Sequence, residues 1–147
     1  MKDTTNLLDY NVWAGTDYLN NTSGFNKNTM NKIEVSNTFS SIGENSLKVI
    51  STDNTSKNVR IVEIEGCQSG ETYTIILDII NKTSSSAKLR LYQNEGPYYQ
   101  EVSIPISDNL QTITLSLAMT QNSNLRAMVL LSESCYVYLD NIQLFKN

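Results

Sequence analysis

Between Arg90 and Glu101 the sequence reads Arg-Leu-Tyr-Gln-Asn-Glu-Gly-Pro-Tyr-Tyr-Gln-Glu, gathering three tyrosines with arginine, glutamine, asparagine and glutamate around one turn. A flat ring can cover the apolar C–H face of a sugar, while guanidinium, amide and carboxylate groups beside it hydrogen-bond the hydroxyls. Alternation sorts the segment into faces. If Leu89 and Leu91 turn to a core, then Arg90 and Tyr92 turn away from it. On the return strand Val102, Ile104 and Ile106 are expected to point inward with Gln100, leaving Tyr99 and Glu101 on the side of Arg90 and Tyr92. Arg90, Tyr92, Gln93, Tyr98, Tyr99 and Glu101 are the candidate ligand-binding residues. A cross-strand packing role for Tyr98 and Tyr99 is the alternative. A second aromatic pair, Tyr136 and Tyr138, shares one face of the last strand; it reads as core or inter-sheet packing, with Arg126 as a possible neighbour.

Catalytic chemistry is poorly provided for. The chain has no histidine, the usual general base and the middle member of most nucleophilic triads. Glycoside hydrolysis needs only two carboxylates and fifteen acidic residues are present, but none stands out. Glu63, Glu65 and Glu71 bracket a tight turn at Gly66 to Gly70, Asp53 and Asp108 sit in turns, and Glu101 alternates outward, all settings typical of solvated carboxylates. The six glycines are scattered and form no phosphate-cradling loop. The two cysteines, Cys67 and Cys135, lack any metal-ligand spacing and read as two small buried thiols, with a disulfide across the chain as the alternative. The expectation is a protein that is not an enzyme.

The elements that must position these residues are strands. Period-two patterning marks Ile33–Val35, Ser46–Ile50, Val59–Ile64, Thr72–Ile80, Ala87–Tyr92, Gln100–Ile106, Gln111–Leu117, Arg126–Leu131 and Cys135–Leu144. With Asn6–Val12 this makes about ten short strands, separated by Gly, Asn, Ser and Asp clusters. No segment carries a helical period, so the expected fold is all-β, an antiparallel β-sandwich formed by a single domain over residues 1–147. In Gln111–Leu117 the apolar Ile113, Leu115 and Leu117 alternate with Thr112, Thr114 and Ser116, a strand half buried and half wet. In Tyr73–Ile80 both faces carry large apolar residues, so that strand is expected to be covered on both sides. The Asn-rich Asp17–Lys32 stretch reads as a long loop.

Composition bounds the partners. Leu, Ile, Val and Phe supply 39 of the 147 residues, enough for a core, while Asn, Ser and Thr supply 49, a surface solvated by neutral groups. Eleven basic against fifteen acidic residues give a net charge of −4 with no basic cluster, which argues against nucleic acid. No apolar run is long enough to insert in a membrane. Met1-Lys2-Asp3-Thr4-Thr5-Asn6 leads straight into a strand without a signal-peptide pattern. That start fits either a module of a longer secreted protein or a virion component made in a cytoplasm.

Three stretches carry a likeness to a known family. Asn6-Leu7-Leu8 opens the chain, Gly43-Glu44-Asn45-Ser46-Leu47-Lys48-Val49 lies in its middle, and Cys135 to Phe145 closes it with an alternating strand, an acidic turn at Leu139-Asp140-Asn141 and a second apolar pair. With these the chain resembles the carbohydrate-binding-module branch of the galactose-binding-like jelly rolls over nearly its whole length. The resemblance implies a jelly-roll sandwich and a non-catalytic carbohydrate-binding or adhesion module, which the neutral surface and the chain's start place on an extracellular or virion surface. Its implied partner is a glycan or polysaccharide, with a homo-oligomer or larger virion assembly supplying several copies. A structural decoration or spacer component of a phage capsid, tail or fibre is the alternative. The resemblance also implies a structural calcium, with Asp140 matching the aspartate that ligates it. Relatives carry an aromatic followed by glutamate after the opening motif; here Trp13-Ala14 stands there, so Asp9 or Glu44 would have to replace that acidic ligand.

Overall fold

The computed structural model describes residues 31–40, 46–51, 57–84, 86–131 and 135–147. The strand expected over Asn6–Val12, residues 17–30 of the Asn-rich stretch, and Asp9, Trp13, Glu44 and Asp53 lie outside these residues, while Asn31 and Lys32, expected in that loop, belong to the first described strand. Nine strands are present among the described residues: β1 (Asn31–Ser36), β2 (Ser46–Ser51), β3 (Lys57–Cys67), β4 (Thr72–Asn81), β5 (Lys88–Gln93), β6 (Tyr98–Ser103), β7 (Gln111–Ala118), β8 (Ser123–Leu131) and β9 (Tyr136–Lys146). They form a five-stranded sheet of order β1-β2-β9-β4-β7 and a four-stranded sheet of order β3-β8-β5-β6, with every pairing antiparallel. The architecture is the antiparallel β-sandwich expected from the alternation, of the jelly-roll kind that the resemblance implies. No described element is a helix, so none is long and apolar enough to cross a membrane.

The inner faces of the two sheets share one core. Leu47, Val49, Leu77, Ile79, Val137 and Leu139 of the first sheet are fully buried, as are Ile61, Leu89, Leu91, Val129 and Leu131 of the second. In β4 the outward-turned Thr74, Asp78 and Ile80 are buried as well, as expected for a strand covered on both sides. In β7 Ile113 and Leu115 are only half-buried while Thr112, Thr114 and Ser116 are exposed, because β7 lies at a sheet edge.

Two local irregularities follow from residue type. The β4–β9 register shifts between Ile76 and Asp78, and there Asn141 takes a left-handed conformation with φ 49°, which asparagine tolerates better than most side chains. Gly96, at φ 57°, turns the chain between β5 and β6. Asn81, which opens an Asn-x-Thr triplet, is wholly buried: its amide donates to the carbonyls of Ser84 (2.8 Å) and Ile104 (2.9 Å) and its oxygen accepts from the Ser84 amide (3.0 Å). It clamps a loop and presents nothing for glycosylation.

One strand boundary needs correction, and the cysteines follow the thiol reading except that Cys135 is only half-buried. The strand expected over Gln100–Ile106 runs instead from Tyr98 to Ser103, so only Val102 and Ile104 turn inward and Ile106 is 53% exposed beyond the strand's end. Cys67 and Cys135 are both free thiols, Cys67 buried and Cys135 half-buried beside the Thr83 carbonyl at 3.6 Å. Burial is the leading cause that pushes the Cys67 thiol pKa up.

Leu91 ties the core to the outer surface of β5, so Leu91→Ala is expected to lower unfolding free energy by about 2–5 kcal/mol, read as a fall in the midpoint of denaturant unfolding with unchanged slope.

Candidate functional site

The site is built on β5, which lies between β8 and β6. Its inner residues Leu89, Leu91 and Gln93 are fully buried, which turns Lys88, Arg90 and Tyr92 to the outer face. Pairing in β5–β6 sets Arg90 opposite Glu101 and Tyr92 opposite Tyr99; pairing in β5–β8 sets Arg90 opposite Met128 and Tyr92 opposite Arg126. The β3–β8 register adds Glu63 opposite Arg126. A row of Glu63, Arg126, Tyr92 and Tyr99 thus crosses the outer face beside a row of Met128, Arg90 and Glu101.

Charges on this face are matched at short range. Arg90 donates from Nε (3.0 Å) and Nη2 (2.7 Å) to one Glu101 oxygen, and Lys88 Nζ reaches the other at 3.2 Å. Arg126 Nε donates to Glu63 Oε1 at 3.0 Å. The Arg90 guanidinium carbon also lies 4.0 Å from the centroid of the Tyr99 ring, a cation–π contact that fixes the ring's position. Tyr92 and Tyr99 stack with centroids 6.5 Å apart and planes 28° from parallel. Tyr99 nonetheless keeps 45% of its surface open. The result is an aromatic platform held in place by charge-assisted hydrogen bonds.

Four of the six candidate residues, Arg90, Tyr92, Tyr99 and Glu101, are brought together on this face. Gln93 and Tyr98 are not. They oppose each other on the inward side of the hairpin, because an even number of residues separates each from the outward set. Gln93 is fully buried, its Nε2 donating to the carbonyl of Glu95 (2.8 Å) and to Thr120 Oγ1 (2.8 Å) while its Oε1 accepts from the Thr120 amide (2.8 Å). It is a clip joining the β5–β6 turn to the segment after β7 and is corrected from a ligand-binding to a structural role. Tyr98 packs partly buried against the core, and its hydroxyl accepts from Gln100 Nε2 at 2.9 Å. The same turn is tied to β8 by the Glu95 amide on Ser123 Oγ (2.7 Å) and the Asn94 amide on the Asn124 carbonyl (3.1 Å).

Arg126 is corrected too. It sits in the four-stranded sheet beside Tyr92, not near Tyr136 and Tyr138. Its alternation between buried Leu125 and Ala127 marks it as outward-facing in the sequence, but only the strand order reveals its neighbours. The Tyr136 and Tyr138 pair does not lie between the sheets. It stands on the outer face of the five-stranded sheet, with ring centroids 5.7 Å apart in an edge-to-face arrangement and Lys48 Nζ at 4.8 and 5.7 Å. Phe39 lies 6.4 Å from Tyr138, which is almost wholly buried.

Asp140 is fully buried on the same face, accepts from the Asn141 amide at 2.8 Å, and stands across the β4–β9 ladder from Asp78. Asp78 in turn accepts from Thr112 Oγ1 at 2.8 Å. Calcium takes six to eight oxygens, and among the described residues no group of three or more acidic, cysteine or histidine side chains could hold a metal. The two aspartates do not by themselves fit a calcium site. At the far end of the sandwich Glu71 accepts from the Gln68 amide (2.6 Å) and the Tyr73 hydroxyl (3.0 Å) and pairs with Lys146 (3.1 Å). The backbone bond from Gln68 is the leading cause of its lowered pKa, and the residue serves to close the turn.

No protein-family model matches the sequence, and no curated protein matches it significantly. Solved structures do match the fold. The CBM22-1 xylan-binding domain from Paenibacillus barcinonensis Xyn10C aligns with a TM-score of 0.69 at 17% identity over 99% of this chain and 97% of that one. The TmCBM61 module, solved with β-1,4-galactotriose, aligns with a TM-score of 0.63 at 13% identity over 98% of this chain and all of its own. The enzymatically active domain of bacteriophage CBA120 tailspike protein 4 aligns with a TM-score of 0.71 at 10% identity over 97% of this chain, which spans only 21% of the tailspike chain. The chain therefore has the β-sandwich fold of carbohydrate-binding modules.

Hydrogen bonds from Arg90 are the leading cause that lowers the Glu101 pKa below its ordinary value of 4.5. A depressed folded-state pKa contributes stability that is fully present above the ordinary value and is lost as pH falls through the lowered one. Arg90→Gln is expected to move the Glu101 carboxyl titration up toward 4.5, followed by carbon-detected NMR of the carboxyl group.

Proposed function

We propose that this chain is a non-catalytic carbohydrate-binding module that adheres to a glycan or polysaccharide through the outer face of β5, β6 and β8, displayed on an extracellular or virion surface. The observation that carries this reading is Tyr99: a ring left 45% exposed yet fixed by Arg90 at 4.0 Å and flanked by Tyr92. An exposed, immobilised aromatic beside Tyr92, with Arg126 on the far side of Tyr92 in the same row, suits the alternating apolar and hydroxyl surfaces of a pyranose. The fold shared with xylan-binding and galactotriose-bound modules supports it. Glu101 and Glu63 are each committed to an arginine, which suits them to positioning donors rather than to the free acid and base of glycoside hydrolysis.

Magnitude sets the mode of action. If each of two rings removes about 50 Å² of sugar from water at about 25 cal/mol per Å², the pair contributes about 2.5 kcal/mol before ordering costs. Hydrogen bonds from the flanking groups bring single-site affinity to about the millimolar range, about −4 kcal/mol, and adhesion depends on several copies acting together. The second reading is a structural decoration or spacer component of a phage capsid, tail or fibre with no glycan ligand; the likeness to part of a tailspike chain supports its phage-particle side and not the lack of a ligand.

A glycan and polysaccharide array probed with the multivalently displayed chain separates the two. Binding is expected, with Tyr99→Ala weakening it about tenfold, the worth of one ring, and the double Tyr92→Ala/Tyr99→Ala variant abolishing it while melting unchanged. Silence of the folded wild type across a broad array would move the assignment to the structural role.

A further inference from the structure

Among the described residues four strands lie at sheet edges: β1 and β7 in the five-stranded sheet, β3 and β6 in the four-stranded one. An edge strand offers a row of unpaired amides and carbonyls to any other strand, and charged residues are the common protection. Three of the four edges carry them. β1 contains Lys32 and Glu34, β3 contains Lys57, Arg60, Glu63 and Glu65, and β6 contains Glu101. β7 reads Gln-Thr-Ile-Thr-Leu-Ser-Leu-Ala, without a charge, proline or glycine. No charged residue occurs from Asn109 to Leu125.

A second observation marks the same edge. Only three large apolar side chains are exposed among the described residues, and two of them, Ile106 at 53% and Leu110 at 43%, lie in the segment leading into β7. Within β7 the inward-turned Ile113 and Leu115 are only half-buried. The edge is thus uncharged, rich in β-branched residues and bordered by apolar surface that the fold leaves open.

We propose that β7 is a self-association edge, at which two copies of this chain pair antiparallel, β7 to β7, to join their five-stranded sheets into one. A two-fold axis at Thr114 uses the strand fully. It sets Ile113 against Leu115, Thr112 against Ser116, Gln111 against Leu117 and the exposed Leu110 against Ala118, so inward residues meet inward residues and outward meet outward. A second copy is the favoured occupant because self-pairing here brings no charged residue into the seam, whereas β1, β3 and β6 each carry the charged residues that commonly guard an edge. The seam is one strand wide, so the dimer forms with concentration in the micromolar range rather than permanently. It presents two outer faces per particle, whatever those faces bind.

Sedimentation velocity over a concentration series tests this on the intact chain. The wild type is expected to shift toward twice its 16.5 kDa mass as concentration rises. Thr114 is exposed, so Thr114→Lys and Thr114→Glu are expected to keep the wild-type melting curve yet each remain monomeric, since like charges meet at the axis. Mixing the two variants is expected to restore the dimer. A wild type that stays monomeric throughout, or a dimer that persists in both single variants, overturns the proposal.

Discussion

The two-residue period of the β-pleat is the constraint on which everything else depends, and β5 shows why. Burying Leu89 and Leu91 between the sheets obliges Lys88, Arg90 and Tyr92 to stand together on the opposite face. A one-residue slip would exchange the two sets, placing an arginine in the core and leucines in water. The driving force that folds the sandwich is therefore the same one that displays the platform. Ion pairs of Arg90 with Glu101 and Arg126 with Glu63 refine positions that hydrophobic burial has already assigned.

Because register is fixed by burial, much of the site was readable along the chain. The outward set of Arg90, Tyr92, Tyr99 and Glu101 follows from alternation on either side of a turn, and the pairings Arg90–Glu101 and Tyr92–Tyr99 agree with it. What alternation could not supply is which strands adjoin. Arg126 and Glu63 lie 63 positions apart, and meet only because β8 is inserted between β3 and β5. Gln93 and Tyr98 were misplaced for a different reason. Composition groups every polar and aromatic residue of a turn together, whereas the pleat sends Gln93 and Tyr98 inward, where the glutamine amide replaces backbone bonds that the turn leaves unmade. The end of β6 was overextended because Ile106 continues the apolar alternation after the ladder has ceased.

The two outer faces are organised differently. That of the four-stranded sheet pairs its charges at the surface and leaves Tyr99 open, while that of the five-stranded sheet buries Asp78, Asp140 and Tyr138. Buried polar groups demand partners, and Thr112 and the Asn141 amide supply some of them. The Asn141 bulge gives β9 the extra residue that swings Asp140 into register with Asp78. The two sheets share one apolar interior but have divided the polar work between locking a surface and lining a covered one.

The two free thiols carry a consequence for where such a chain can operate. Neither Cys67 nor Cys135 is bridged, and among the described residues the interior is closed by packed side chains, chiefly aliphatic, with Cys67 among them as a free thiol. The fold therefore draws no stability from a bridge between Cys67 and Cys135 and holds together without the oxidising conditions such a bridge requires.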